Sequence, residues 1–153
     1  MSQSDDQVSA SLPQDYNEAS GHSFCVLPWL HRFVNLGGEV QLCCTAEEFD
    51  HSYIRHDAGP RINISDGLSD AQIGDTRHLR DIRTSMLKGD WPAACERCRL
   101  TEATGGCSRR QAENRHFESH VPWILENTDA RGSAPVRIRS RDYRFGNLCN
   151  LRC

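Results

Sequence analysis

Apolar positions are sparse at the start of the chain and dense in four later places, and their spacing outlines the elements. Residues 1–21, MSQSDDQVSASLPQDYNEASG, are rich in Ser, Asp, Gln and Asn with almost no aliphatic clustering. Such a composition buries too little surface to offset the entropy of ordering, so a disordered leader is expected there. Order should begin at FCVLPWLHRF, where Phe24, Val26, Leu27, Trp29, Leu30 and Phe33 form the first apolar cluster. In HRFVNLGGEVQLCC two short runs flank Gly37 and Gly38, which supply the positive φ angles of a tight hairpin and fold Cys43 back towards Cys25. From Asp50 to about Asp75 the chain is polar without a clear period, which suggests a long surface connection, with a short strand conceivable in RINIS.

A helical period then appears in TRHLRDIRTSMLKGD. Leu79, Ile82, Met86 and Leu87 share one face, Asp75 or Thr76 is placed to cap the start, and Gly89 follows the end. The arginines of this helix read as a solvated outer face. Pro92 blocks continuation, so PAACERCRLTEATGG starts a second helix that presents Cys95 and Cys98 on one side. SRRQAENRHFES is a third, weakly amphipathic and mostly solvated helix. After NTDARGSAP, the run VRIRSRDY alternates Val136 and Ile138 with Arg137 and Arg139, the period of a strand that leads into the terminal cysteines. The fold class expected is α+β.

Composition narrows the function classes. The chain has 153 residues, a quarter of them charged, and a net charge of -3, which allows one domain with a modest core and gives no electrostatic footprint for nucleic acid. No apolar run approaches the roughly 20 residues of a membrane-spanning helix. The acidic, polar start is unlike a secretory signal, so a reducing cytoplasmic setting is expected. There, the eight cysteines point to metal or redox chemistry rather than disulfides.

Cys25 and Cys43 on the two arms of the hairpin, with Cys95 and Cys98 in a C-x2-C step, supply four thiolates for one tetrahedral or cluster site. Zinc and an iron-sulfur cluster both suit that donor set, and buried structural thiols are the plain alternative. The separation of the two pairs, more than fifty residues, is long for a zinc ribbon and tolerable for a cluster drawing ligands from several elements. Strand alternation sends Cys43 and Cys44 to opposite faces, so only one of them faces the site. Cys107, in GGCSRR, is a possible further ligand or a free loop thiol. His31 could donate a hydrogen bond near the site or simply pack beside aromatics. Trp29, Trp91 and Trp123 are assigned to packing.

The stretch FCVLPWLHRFVNLGGEVQLCC resembles the opening of the twitch and SPASM auxiliary-cluster modules of radical S-adenosylmethionine enzymes. Cys25, Gly38 and Cys43 match the family's spacing of a cysteine, a glycine and a second cysteine five positions on. DTRHLRDIRTSMLKGDWPAACERC looks like the family's helix and C-x2-C. The resemblance thus implies an auxiliary 4Fe-4S cluster held by Cys25, Cys43, Cys95 and Cys98, with Cys44 a core residue. RFGNLCNLRC looks like the approach to the C-x3-C-x2-C loop of the catalytic cluster, with Cys149 and Cys153 as its first two ligands and the third expected at position 156. On this reading the chain comprises the leader over 1–21, a cluster module over 22–120, a linker over 121–134 and the first strand of an incomplete (β/α) barrel over 135–153.

The implied parent enzyme cleaves S-adenosylmethionine reductively to a 5'-deoxyadenosyl radical at a second 4Fe-4S cluster. Its electron donor would be a flavodoxin or ferredoxin, and its substrate a peptide, sugar or small metabolite. No catalytic residue falls in this segment beyond the partial motif, and the chain alone is expected to be inactive. The alternative from another class is a zinc-stapled, non-catalytic interaction module.

Overall fold

The computed structural model describes residues 23–46 and 50–146; the leader and the Cys149–Cys153 motif lie outside them. The fold is α+β, a small three-stranded sheet among short helices. Helix α1, Leu27–Leu30, opens with Pro28, whose fixed φ suits a first turn, and all four of its residues are buried. It runs directly into strand β1, His31–Val34, which is also wholly buried.

Strand β2, Val40–Gln41, pairs antiparallel with β1 through Phe33↔Gln41 and Val34↔Val40. The connecting turn is organised by Asn35, whose Oδ1 accepts the N–H groups of Gly37 and Glu39, each at 3.0 Å. Only Gly38, at φ 80°, needs the left-handed conformation; Gly37 does not. Strand β3, Ser140–Tyr143, pairs parallel with β1 from His31↔Ser140 to Val34↔Tyr143, giving the order β2-β1-β3.

The alternation at Val136 to Arg139 does not become strand. Pairing starts where the Arg139 N–H reaches the Leu30 carbonyl at 2.7 Å, because Leu30 is helical and offers no ladder further back. Val136 is accordingly 45% exposed.

The polar stretch after Asp50 is more than a surface connection. It runs along the outer edge of β2, with the Val40 N–H on Ile62 O, the Ile54 N–H on Val40 O and the Ile62 N–H on Ile54 O, all within 2.8–2.9 Å. Ile54 and Ile62 are buried in the core. RINIS forms isolated bridges, Arg55↔Arg61 and Glu39↔Asn63, rather than a strand. Helix α2, Asp70–Gly74, follows a capping box between Ser69 and Gln72.

Helix α3, Arg77–Leu87, buries Leu79, Ile82 and Met86 as its period requires, and Arg83 with them. Arg83 lies four residues after Leu79, on the same face, so it does not belong to the solvated side. Its guanidinium donates to the carbonyls of Pro28 at 2.9 Å, Gly74 at 2.8 Å and Gly132 at 3.2 Å. Gly132, at φ 78°, presses on α3 so closely that a Cβ there would stand 2.3 Å from the Arg80 carbonyl oxygen.

Helix α4, Glu96–Ala103, grows from a 3-10 turn over Ala93–Cys95. Helix α5, Arg109–His116, is capped by a Ser108–Gln111 box. Helix α6, Val121–Asn127, buries Val121 and Ile124 in the same core that holds Phe24 and Met86. Half of the segment expected as a linker is therefore a packed element. Among the described residues no helix is long and apolar enough to cross a membrane.

Candidate metal centre

Cys25, Cys43, Cys95 and Cys98 line one cavity, walled on its apolar side by Leu27, Leu42, Met86 and Ala94. Each thiol arrives by a different local device. Cys25 precedes α1, and the peptide groups on either side of it are held by Asn114 of α5. The Asn114 Oδ1 accepts the Val26 N–H at 2.9 Å, and its Nδ2 donates to the Phe24 carbonyl at 2.9 Å. Arg110 Nη1 donates to that same carbonyl at 2.9 Å.

Cys43 stands just past β2, where the Leu42 N–H donates to Ser52 O at 2.8 Å and the chain turns into a 3-10 helix, Cys44–Ala46. Cys95 closes the turn before α4, and Cys98 sits in the first turn of α4, so the C-x2-C step places both sulfurs on one side.

Burial dominates the electrostatics. It pushes the Cys25 thiol well above its ordinary value, with the Cys95, Cys43 and Cys98 sulfurs adding to the rise. Cys43 is pushed up to about 11, mainly by burial. Cys95 is raised as well, by burial and then by Cys43 and Cys98. With no metal bound these thiols stay protonated at neutral pH; a soft cation or cluster takes the place of their protons.

Three arginines, Arg97, Arg109 and Arg110, complete the lining. Arg110 pairs with both carboxylate oxygens of Glu102 at 2.7 Å and lies over the Trp91 ring at 5.4 Å. Arg109 donates to Cys44 Sγ, to Glu113 at 3.2 Å and to Asp142 of β3 at 3.0 Å.

The donor set fits a thiophilic metal or cluster in number, softness and burial. The enclosed space is about 20 Å³, hardly more than one water needs, so a four-iron cluster enters only as the lining side chains move outward. Nor are the sulfurs gathered around a point: among the described residues no three His, Cys, Asp or Glu side chains are grouped tightly enough to hold a single ion.

The other candidates fall elsewhere. Cys44 is half-buried and outside the cavity lining, against Arg109. What separates it from Cys43 is the 3-10 turn, since strand pairing ends at Gln41. Cys107 is exposed, outside the cavity, with its sulfur 3.2 Å from Arg115 Nη2. His31 is buried in β1 beside β3 and does not line the cavity; its Nδ1 meets Ser140 Oγ at 2.8 Å and its Nε2 lies 3.6 Å from Asp142. Burial lowers its pKa to about 4, against the opposing pull of Asp142. Trp29 packs on Phe24 and donates to Thr128 Oγ1 at 2.8 Å. Cys149 and Cys153 lie outside the described residues.

The residue that sequence reasoning missed is Asn114. It sits in a helix read as solvated, and its partners are 88 and 90 positions away, so no local pattern announces it. Comparison of the chain with family models, with curated proteins and with solved structures finds no match.

Proposed function

We propose that residues 22–120 form an auxiliary iron-sulfur module and that the chain belongs to a radical S-adenosylmethionine enzyme. One observation carries the cluster reading: four cysteines from three separate stretches of chain line a single cavity beside three arginines. A cluster held by four thiolates carries net negative charge, which arginines in the lining offset. Cys25, Cys43, Cys95 and Cys98 would hold the group, which would supply one-electron chemistry or shape a substrate pocket. The residues around it do the rest: Asn114 and Arg110 fix the backbone at Cys25, and Met86, Leu27 and Leu42 keep water out.

The assignment to the radical enzyme rests on the resemblance of Phe24 to about Arg110 and on the NLCNLRC run at residues 147–153. Cleavage of S-adenosylmethionine, electron supply from a flavodoxin or ferredoxin, and a peptide, sugar or small-metabolite substrate follow from it as parts of the same proposal.

A second reading is a zinc-stapled interaction module: the small cavity suits one ion better than four irons, and the sulfurs would have to draw together to hold it. Anaerobic reconstitution with iron, sulfide and zinc in competition separates the two. A brown protein with about four irons and four sulfides per chain supports the cluster. A colourless protein that takes up one zinc and no iron overturns it.

A further inference from the structure

A second cavity of about 430 Å³ opens between the sheet and α2, on the face of β1 that carries Arg32 and Val34. That size falls in the range of small-molecule sites. Val34, Val40, Leu68 and Ile73 form its apolar wall, and Arg32, Asp70 and Arg141 are its charged groups, beside the polar Asn63, Ser69 and Tyr143.

Arg32 is the unusual member. Its side chain is only 6% exposed and the nearest carboxylate oxygen, Asp70 Oδ1, stands 4.0 Å from its Nε. The Nε–H has no hydrogen-bond partner, while Nη1 donates to the His31 carbonyl at 2.8 Å. The Asp70 carboxylate is already engaged, because Arg141 grips both of its oxygens with Nη1 and Nη2. Two guanidiniums therefore share one carboxylate, and the buried Arg32 Nε–H, 4.0 Å from it, makes no hydrogen bond.

We infer that this cavity binds a small organic monoanion, a carboxylate with an apolar body. The carboxylate would accept from Arg32 Nε–H and neutralise its charge, while the chain or ring lies against Val34, Val40, Leu68 and Ile73. A dianion would exceed the charge available, and a neutral carbonyl could accept from Arg32 but would leave its charge uncompensated. The inference stands on the chain's own side chains and is independent of what the thiols hold.

The test is calorimetric titration of the full chain with hexanoate, hexanamide and inorganic phosphate. Hexanoate should bind once per chain, and hexanamide and phosphate at least about tenfold more weakly. Arg32→Met should abolish hexanoate binding. Because Arg32 is buried and its loss could disturb the fold, Ile64→Glu provides a second arm. Ile64 borders the cavity and is 56% exposed, so a carboxylate placed there repels the ligand without touching the core. Hexanoate affinity should fall at least about tenfold in Ile64→Glu with an unchanged circular dichroism spectrum. Hexanamide or phosphate binding as tightly as hexanoate, an unchanged affinity in Ile64→Glu, or no saturable hexanoate binding at millimolar concentration would each overturn the assignment.

Discussion

Removing whatever the thiols hold should make the stability of the chain fall steeply in alkaline solution. The folded pKa of Cys43 is raised from its ordinary 9.0 to about 11, and those of Cys25 and Cys95 are raised too. A group raised in the folded state contributes stability that is fully present below its unfolded pKa and is lost as pH climbs through the folded one. Between about pH 9 and about 11 the unfolded chain releases protons that the folded chain retains.

For Cys43 alone, two units at about 1.4 kcal/mol each remove about 3 kcal/mol. The three raised thiols together give a slope of up to about 4 kcal/mol per pH unit. Against a typical domain stability of about 5–15 kcal/mol, the metal-free chain should unfold within roughly two to three pH units above 9. The loaded protein should lack this slope, because ligation already requires thiolates and tightens as protons leave. Urea denaturation of reduced, chelator-treated chain at intervals from about pH 8.5 to about 10.5 measures the slope, with Cys43→Ala as a control in which it should shrink. A flat or rising stability of the metal-free chain over that range would refute the joint burial of the thiols.

Metal analysis of single variants should show Cys43→Ala losing its bound iron or zinc while Cys44→Ala and Cys107→Ala keep theirs; equal loss in Cys44→Ala would move the site. Asn114→Ala should cost roughly 2–3 kcal/mol in urea unfolding, since it strands the Val26 N–H and weakens the hold on the Phe24 carbonyl, and it should speed metal loss although no thiol is removed. A cost under about 1 kcal/mol would show that the amide does not fix the backbone at Cys25. Gly132→Ala should destabilise by roughly 2–4 kcal/mol, combining a positive φ with a collision against the Arg80 carbonyl. Gly67→Ala, at φ 70° with nothing within 4 Å of the added carbon, should cost only about 1 kcal/mol by thermal melting.

What could be read from the sequence was what repeats or sits close together. Leu79, Ile82 and Met86 announce α3 because three residues mark one face of a helix, and Cys95 with Cys98 announce a paired donor because one turn separates them. The Asn35–Gly38 turn is visible in its glycines, although only one of them carries the strained angle. Arg83 occupies a position that the same period assigns to the core, and only its residue type hid it; three carbonyls from remote segments make its burial tolerable. Ile54 and Ile62 are single apolar residues in polar surroundings, too far apart to show a period, so their role on the β2 edge was invisible. The start of β3 depended on where β1 begins, more than one hundred positions earlier in the chain, which alternation in VRIRSRDY cannot report. Asn114 was illegible for the same reason.

The two margins of the sheet are unlike. Residues 53–63 occupy the outer side of β2, while the outer side of β3 has no strand partner among the described residues. Among the described residues the margin left open is that of β3, so a further strand would join there. The same open side is available to another copy of the chain, and Tyr143 and Phe145, stacked at 5.7 Å and largely exposed, make that contact attractive. Arg139, Arg141, Asp142 and Arg144 set charges along the margin that discourage it. Purified chain should therefore stay dispersed in dilute buffer and cluster through this margin as salt screens those charges, which makes ionic strength the variable that governs how long it can be stored.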